Sequence, residues 1–183
     1  MNTLSNAPWP RGCLEVYTGD GKGKTTAALG LALRAAGRGQ KVFIGQFMKL
    51  YPYGELESLR ALSGRVVLEQ FGSPECIPFL TTPDPEDVAL ARAGLLCCKT
   101  ALLSGEYAVV ILDEINVAVH FKLLEAEDLL ALVDGRPPMV ELVCTGRYAC
   151  DALLERADLV TEMRCVKHYF DSEGLPARDG IER

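Results

Sequence analysis

The residues that most constrain this chain are Thr18-Gly19-Asp20-Gly21-Lys22-Gly23-Lys24-Thr25-Thr26. Leu14-Glu15-Val16-Tyr17 precede them as a short strand pattern, and Ala27-Ala28-Leu29-Gly30-Leu31-Ala32-Leu33-Arg34-Ala35-Ala36 follow as a helix pattern. A strand, a glycine-rich loop and a Gly-Lys-Thr that opens a helix form the context of a phosphate-binding loop. Glycines let successive N–H groups point into one concavity, the helix N-terminus adds partial positive charge, and Lys24 adds a full one. Thr25 stands where a hydroxyl reaches a magnesium ion. The register is unusual. The position five residues before the Gly23-Lys24 pair is Thr18, not glycine, and the loop carries a second lysine, Lys22.

A second motif supports the first. Tyr107-Ala108-Val109-Val110-Ile111-Leu112 is an uninterrupted apolar run of strand length, and it ends in Asp113-Glu114. Such a run reads as a central parallel strand buried on both faces. Its terminal acids resemble a Walker B element, in which one carboxylate serves the magnesium shell and the other orients a ligand or water. Unpaired carboxylates at a buried strand end are costly, which argues for a role in binding. In open α/β sheets ligands bind at the C-terminal strand ends. That places Gln46 and Lys49, at or just beyond the end of the strand Val42 to Gln46, and Arg147, just past Val140 to Thr145, beside the same site.

Between these motifs strands alternate with helices, predicting an α/β, P-loop NTPase-like fold with a mostly parallel sheet of about six strands and helices on both faces. The further strands expected are Val66 to Gln70 and Leu159 to Met163, and the further helices run from Glu55, Asp84, Asn116, Ala126 and Asp151. A chain of 183 residues is read as one domain, 1–183, with a flexible segment at 1–12 and a tail at 165–183 draped over the surface or the site mouth. A net charge of −6 argues against a nucleic-acid binder. The absence of a signal-type or membrane-length apolar run points to the cytoplasm and away from membranes. Seven cysteines and two histidines form no C-x-x-C pair, so the cysteines read as reduced core residues and zinc is not expected. The proline-rich apolar stretch Phe71 to Pro83 reads as a binding loop. Chemistry alone leads to a Mg–ATP protein whose second substrate is unnamed.

The motifs in their order resemble the phosphate-loop branch of the corrinoid (cob(I)alamin) adenosyltransferases. They are Thr18 to Ala28, Gln46-Phe47-Met48-Lys49, Val110 to Asn116, Thr145-Gly146-Arg147, Ala157 to Arg164, Val166-Lys167-His168 and Gly180-Ile181-Glu182. The resemblance implies transfer of the 5′-deoxyadenosyl group of ATP to cobalt(I) of a reduced corrinoid, with triphosphate leaving. It implies ATP seated in reverse, with the γ-phosphate where the α-phosphate usually lies. Gly19, Asp20, Gly21, Lys22, Gly23, Lys24, Thr25, Thr26, Gln46, Lys49 and Arg147 would then bind nucleotide, and Lys22, Lys24 and Glu114 would serve catalysis. Thr25, Asp113 and Glu114 would hold Mg²⁺ or Mn²⁺. A homodimer and a flavodoxin-type reductase are implied as partners. Better-known members carry a Phe and a Trp in the loop after the third strand, where this chain has Ile77 and Phe79. The rival expectations are an ATPase or small-molecule kinase, and a nucleotide-gated corrinoid carrier.

Overall fold

The computed structural model describes residues 9–50, 53–62, 64–73 and 83–182. Along the chain lie β1 (Leu14–Thr18), α1 (Lys24–Gly37), β2 (Val42–Phe47), α2 (Gly54–Arg60), β3 (Val66–Phe71), α3 (Pro85–Leu103) and β4 (Val109–Asp113). These are followed by α4 (Ile115–His120), α5 (Ala126–Asp134), β5 (Glu141–Thr145), α6 (Asp151–Arg156), β6 (Leu159–Glu162) and α7 (Tyr169–Glu173). The strands form one six-stranded sheet in the order β3-β2-β4-β5-β1-β6, and every pairing is parallel. The sequence expectation of six parallel strands is met.

Period-two alternation decides which helix meets which side chain. Leu14, Val16, Phe43, Phe47, Val110, Leu112, Leu142 and Cys144 face one layer, packed with Ala91, Cys98 and Leu102 of α3 and Ile115, Leu129 and Leu153 of the later helices. Tyr17, Val42, Ile44, Val109, Ile111 and Val143 face the other, where Ala28, Ala32, Ala35 and Ala36 line α1. Those alanines recur at helical spacing, so α1 lies close on the sheet with little side-chain bulk between. Cys98 and Cys144 are buried core residues, as expected for reduced cysteines.

Local signals set the helix ends. Asp84 caps α3 by accepting the Glu86 N–H at 2.7 Å, and Pro85 occupies the first turn. The tail differs from expectation in containing α7. His168 Nδ1 accepts the Phe170 N–H at 3.0 Å at its start, and Gly174 closes it at φ 65°. Within the segment 1–12, the Trp9 indole donates to the Met139 carbonyl at 3.2 Å, and Arg11 pairs with Asp158 at 2.9 Å. Ile77 and Phe79 lie outside the described residues. Among the described residues no helix is long and apolar enough to cross a membrane.

Candidate active site

The C-terminal ends of β1, β2, β4 and β5 open onto a cavity of about 780 Å³. The phosphate loop, Lys49, Glu114, Arg147 and the tail residues His168, Ile181 and Glu182 are among its walls. Backbone strain gathers at this edge. Met48 after β2 has φ 57°, Glu114 after β4 has φ 63°, and Tyr148 after β5 has φ 63°. Non-glycine residues hold such angles only where surrounding packing enforces them, and the cost is about 1–3 kcal/mol each.

The odd register of the loop has a packing cause. The backbone leaving β6 crosses directly over it. A Cβ on Gly19 would come within 2.4 Å of the Met163 carbonyl oxygen, and one on Gly21 within 2.8 Å of the same atom. Gly19 also has φ 93°. Met163 N–H donates to Thr18 O at 2.8 Å, and Gly21 N–H donates to Met163 O at 2.7 Å. The Cys165 N–H donates to Asp20 at 3.1 Å and holds that carboxyl below its usual range. Gly19 and Gly21 therefore face this roof, and Asp20 fastens it. The expectation that the loop's amides all point into the cavity does not hold for Gly21, whose N–H is committed to Met163.

Lys24 is buried, and its ammonium donates to the carbonyls of Gly19 at 2.8 Å and Gly21 at 2.7 Å. Burial pushes its pKa down. Beneath it Asp113 is 1 % exposed and gathers donors on both oxygens. The hydroxyls of Thr25 and Thr145 reach Oδ1 at 2.9 and 2.7 Å. The Lys49 ammonium and the Gln46 amide reach Oδ2 at 2.7 and 3.2 Å. Gln46 is held in turn by Glu55 at 3.1 Å and by Gln70 at 3.0 Å. Burial works to lower the Lys49 pKa, but the Asp113 charge and hydrogen bond outweigh it and the net shift is upward. Lys49 also lies 5.3 Å from the centroid of the Tyr53 ring, on its face.

Glu114 is different. No hydrogen bond or ion pair reaches its carboxylate among the described residues, and burial, reinforced by neighbouring Asp113, pushes its pKa up. Lys49, Lys24 and Arg147 lie close enough to oppose that shift. A desolvated carboxylate of this kind, lining the same cavity as Thr25, fits a hard divalent cation, which takes oxygen ligands and offsets the burial of charge. Asp113 already has its lone pairs engaged by four donors, so it fits the outer shell better.

Sequence reasoning places Lys22 with Lys24, but the structure directs the two apart. The Lys22 ammonium turns outward to the Glu182 carboxylate at 2.7 Å and the Ile181 carbonyl at 3.1 Å. Thr26 and Arg147 line the cavity and are exposed. Also at the cavity, Tyr148 stacks on His120 with centroids 4.1 Å apart, and Phe121 meets it edge-on.

A family model described as ATP:corrinoid adenosyltransferase BtuR/CobO/CobP matches residues 10–183. The chain belongs to this family. A corrinoid adenosyltransferase of Pseudomonas aeruginosa is 38% identical over 180 residues, covering 98% of this chain and 87% of the relative. A corrinoid adenosyltransferase of Escherichia coli K12 is 36% identical, covering 98% and 89%. The corrinoid adenosyltransferase CobA of Salmonella typhimurium is 34% identical over the same shares. Among solved structures, the RadB recombinase superposes with a TM-score of 0.52 at 15% identity, covering 88% of this chain and 82% of that one. That likeness supports the fold alone.

In this adenosyltransferase-family chain, sequence reasoning has Thr145, Asn116 and Glu182 within its motifs but gives none of them a role. Thr145 ends β5 two residues before Arg147, and its hydroxyl accepts the Glu114 N–H at 3.1 Å while donating to Asp113. A polar residue closing an apolar strand was the available signal. Asn116 pins the turn after β5 by donating to the Gly146 carbonyl at 3.0 Å. Nothing in the local sequence pattern pairs Glu182 with Lys22, which lies 160 residues away.

Proposed function

We propose that this site carries out its family's reaction by holding the polyphosphate of ATP in the loop and offering the ribose C5′ to a reduced corrinoid. Cobalt(I) attacks C5′, a cobalt–carbon bond forms, the C5′–O bond breaks, and its electron pair leaves with triphosphate. Lys24, Lys49 and the remaining loop amides stabilise the departing charge by preorganised electrostatics. Lys22, Thr26 and Arg147 extend that cationic and polar rim, and Asp113 orients Thr25 and Lys49. Thr25 and Glu114 would hold magnesium, which neutralises polyphosphate charge when bound. We propose that ATP lies in reverse, with its outermost phosphate deep in the loop and its sugar toward the aromatic wall of Tyr148 and Phe121. Because the attacking atom belongs to the corrinoid, the protein supplies position and charge and no nucleophile of its own.

The observation that carries this reading is the Glu114 carboxylate, without a hydrogen bond or ion pair among the described residues, in the same cavity as Lys24 and Lys49. It supports a site built for a metal-bound polyphosphate. We further propose action in the cytoplasm as a homodimer, with an electron donor of flavodoxin type keeping cobalt reduced.

The test mixes the chain with Mg–ATP and chemically reduced cobalamin. The expected result is the visible spectrum of an alkyl-cobalt product together with inorganic triphosphate, and light scattering on the same sample reads the dimer. Release of ADP and phosphate with no cobalt–carbon product would overturn the transfer in favour of an ATPase. Binding of both ligands without turnover would favour a carrier.

A further inference from the structure

We infer that Glu182 is an internal rival of the triphosphate product: a carboxylate, carried on the tail, that binds Lys22 in place of a phosphate oxygen and so loosens the loop's hold on the leaving group. The inference rests on the proposed transfer reaction and deepens it.

The carboxylate is in place independently of Lys22. Arg178 donates to it through its backbone N–H at 2.8 Å and its guanidinium at 3.2 Å, and the Tyr169 hydroxyl donates as well. Arg178 also sits 5.0 Å from the centroid of the Tyr169 ring, on its face. The Glu182 side chain is 16% exposed, whereas that of Lys22 is 44% exposed. Of the two partners Lys22 is therefore the freer, a long side chain that can swing between the tail and the cavity. Both residues line the cavity that contains Lys24, Thr25 and Glu114. An anion within that cavity and the Glu182 carboxylate thus compete for one ammonium.

The chemistry gives this rivalry a purpose. Cleavage of the C5′–O bond turns an esterified polyphosphate into free triphosphate, with one more charged oxygen. A seat of lysines, loop amides and a helix N-terminus holds the product more tightly than the substrate, and slow product release then limits turnover. A fixed carboxylate that withdraws one lysine weakens binding of the more highly charged species most. Glu182 is thus a positioning residue that acts through Lys22 and touches no reacting atom.

The test is a thermodynamic cycle on the full chain. Isothermal titration with inorganic triphosphate and magnesium is run on the native chain, Glu182→Gln, Lys22→Met and the double variant. Glu182→Gln is expected to bind triphosphate roughly three- to tenfold more tightly, the range for a partly exposed charge-assisted contact. In the Lys22→Met background the same substitution is expected to change nothing. Glu182→Ala, run alongside, is expected to tighten binding in the same direction, so the test does not depend on one variant folding. Unchanged or weaker binding on loss of the carboxylate overturns the inference, as does equal tightening with and without Lys22. Failure of the parent reading looks different: triphosphate binds, yet the native chain makes no alkyl-cobalt product.

Discussion

Asp113 and Glu182 are carboxylates beside one cavity, and each gathers several donors, but they are built in opposite ways. Asp113 sits at the end of a central strand, buried, and its partners come from β1's following helix, from β2 and its following loop, and from β5. Glu182 stands on the tail, and apart from Lys22 its partners are tail residues. Electrostatics in the first case act in a dry interior where reorganisation is small. In the second they act near water, where an ion pair is weak and exchanges readily. The fold fixes both carboxylates but leaves the outer one's hold on Lys22 conditional. That division suits a site that must hold ATP in register and then release a more highly charged product.

The comparison breaks most readily at Asp113. Asp113→Asn leaves the Lys49 ammonium buried without its counter-charge. Adenosyl transfer is expected to fall about a hundredfold or more, and urea unfolding to show a loss of about 3 kcal/mol. A variant that keeps native stability would show that Lys49 finds water or another partner, and that the hub is less closed than its distances indicate.

Glu114→Gln separates charge for function from charge for stability. Among the described residues no hydrogen bond or ion pair reaches the Glu114 carboxylate, and burial disfavours its ionised form. Transfer is expected to fall by about a hundredfold while thermal stability stays level or rises by up to about 1 kcal/mol. A large loss of stability would mean that Glu114 supports the turn after β4 rather than a cation.

The smallest effect concerns a third carboxyl, half-buried, with no ion pair to it among the described residues. Glu141 on β5 accepts the Cys13 N–H at 2.7 Å. Burial, aided by neighbouring Glu15, pushes its pKa from 4.5 up to about 7 against that hydrogen bond. Between those two values the folded chain binds more protons than the unfolded one. Stability is therefore expected to fall as pH rises from about 4.5 through about 7, by about 1 kcal/mol once solvent screening of this half-exposed group is discounted from the full linkage value, and to level off on either side. Glu141→Gln is expected to flatten this part of the pH–stability curve measured by urea unfolding. An unchanged slope would assign it to another group.

Much of the molecule is legible in the chain because its physics is local. The uninterrupted apolar run up to Asp113 gives a doubly buried strand, and Gly23-Lys24-Thr25 gives a loop feeding a helix. Lys49 and Gln46 follow from the rule that ligands gather at strand C-termini. Three features were not legible, each because it depends on residues far apart in sequence. The roof over the loop needs β6 to lie beside β1, which no local pattern specifies. Thr145 joins Asp113 only because β5 pairs with β4. The outward turn of Lys22 needs Glu182 to reach it; a tail draped over the surface or the site mouth does not say which of its residues would, and α7, five residues long, is too short to leave a periodic signal. Glycines at 19 and 21 were visible, but their reason, the Met163 backbone, was not.

The roof also bears on how the protein is made. Asp20 and Cys165 are 145 positions apart and yet meet across the loop. During synthesis the loop and its helix leave the ribosome long before the segment that covers them. A nascent chain already carrying β1 through β5 would hold a half-finished seat, uncovered on one side. The cover of the loop is thus among the last pieces of the seat to be made, although the loop itself is among the first.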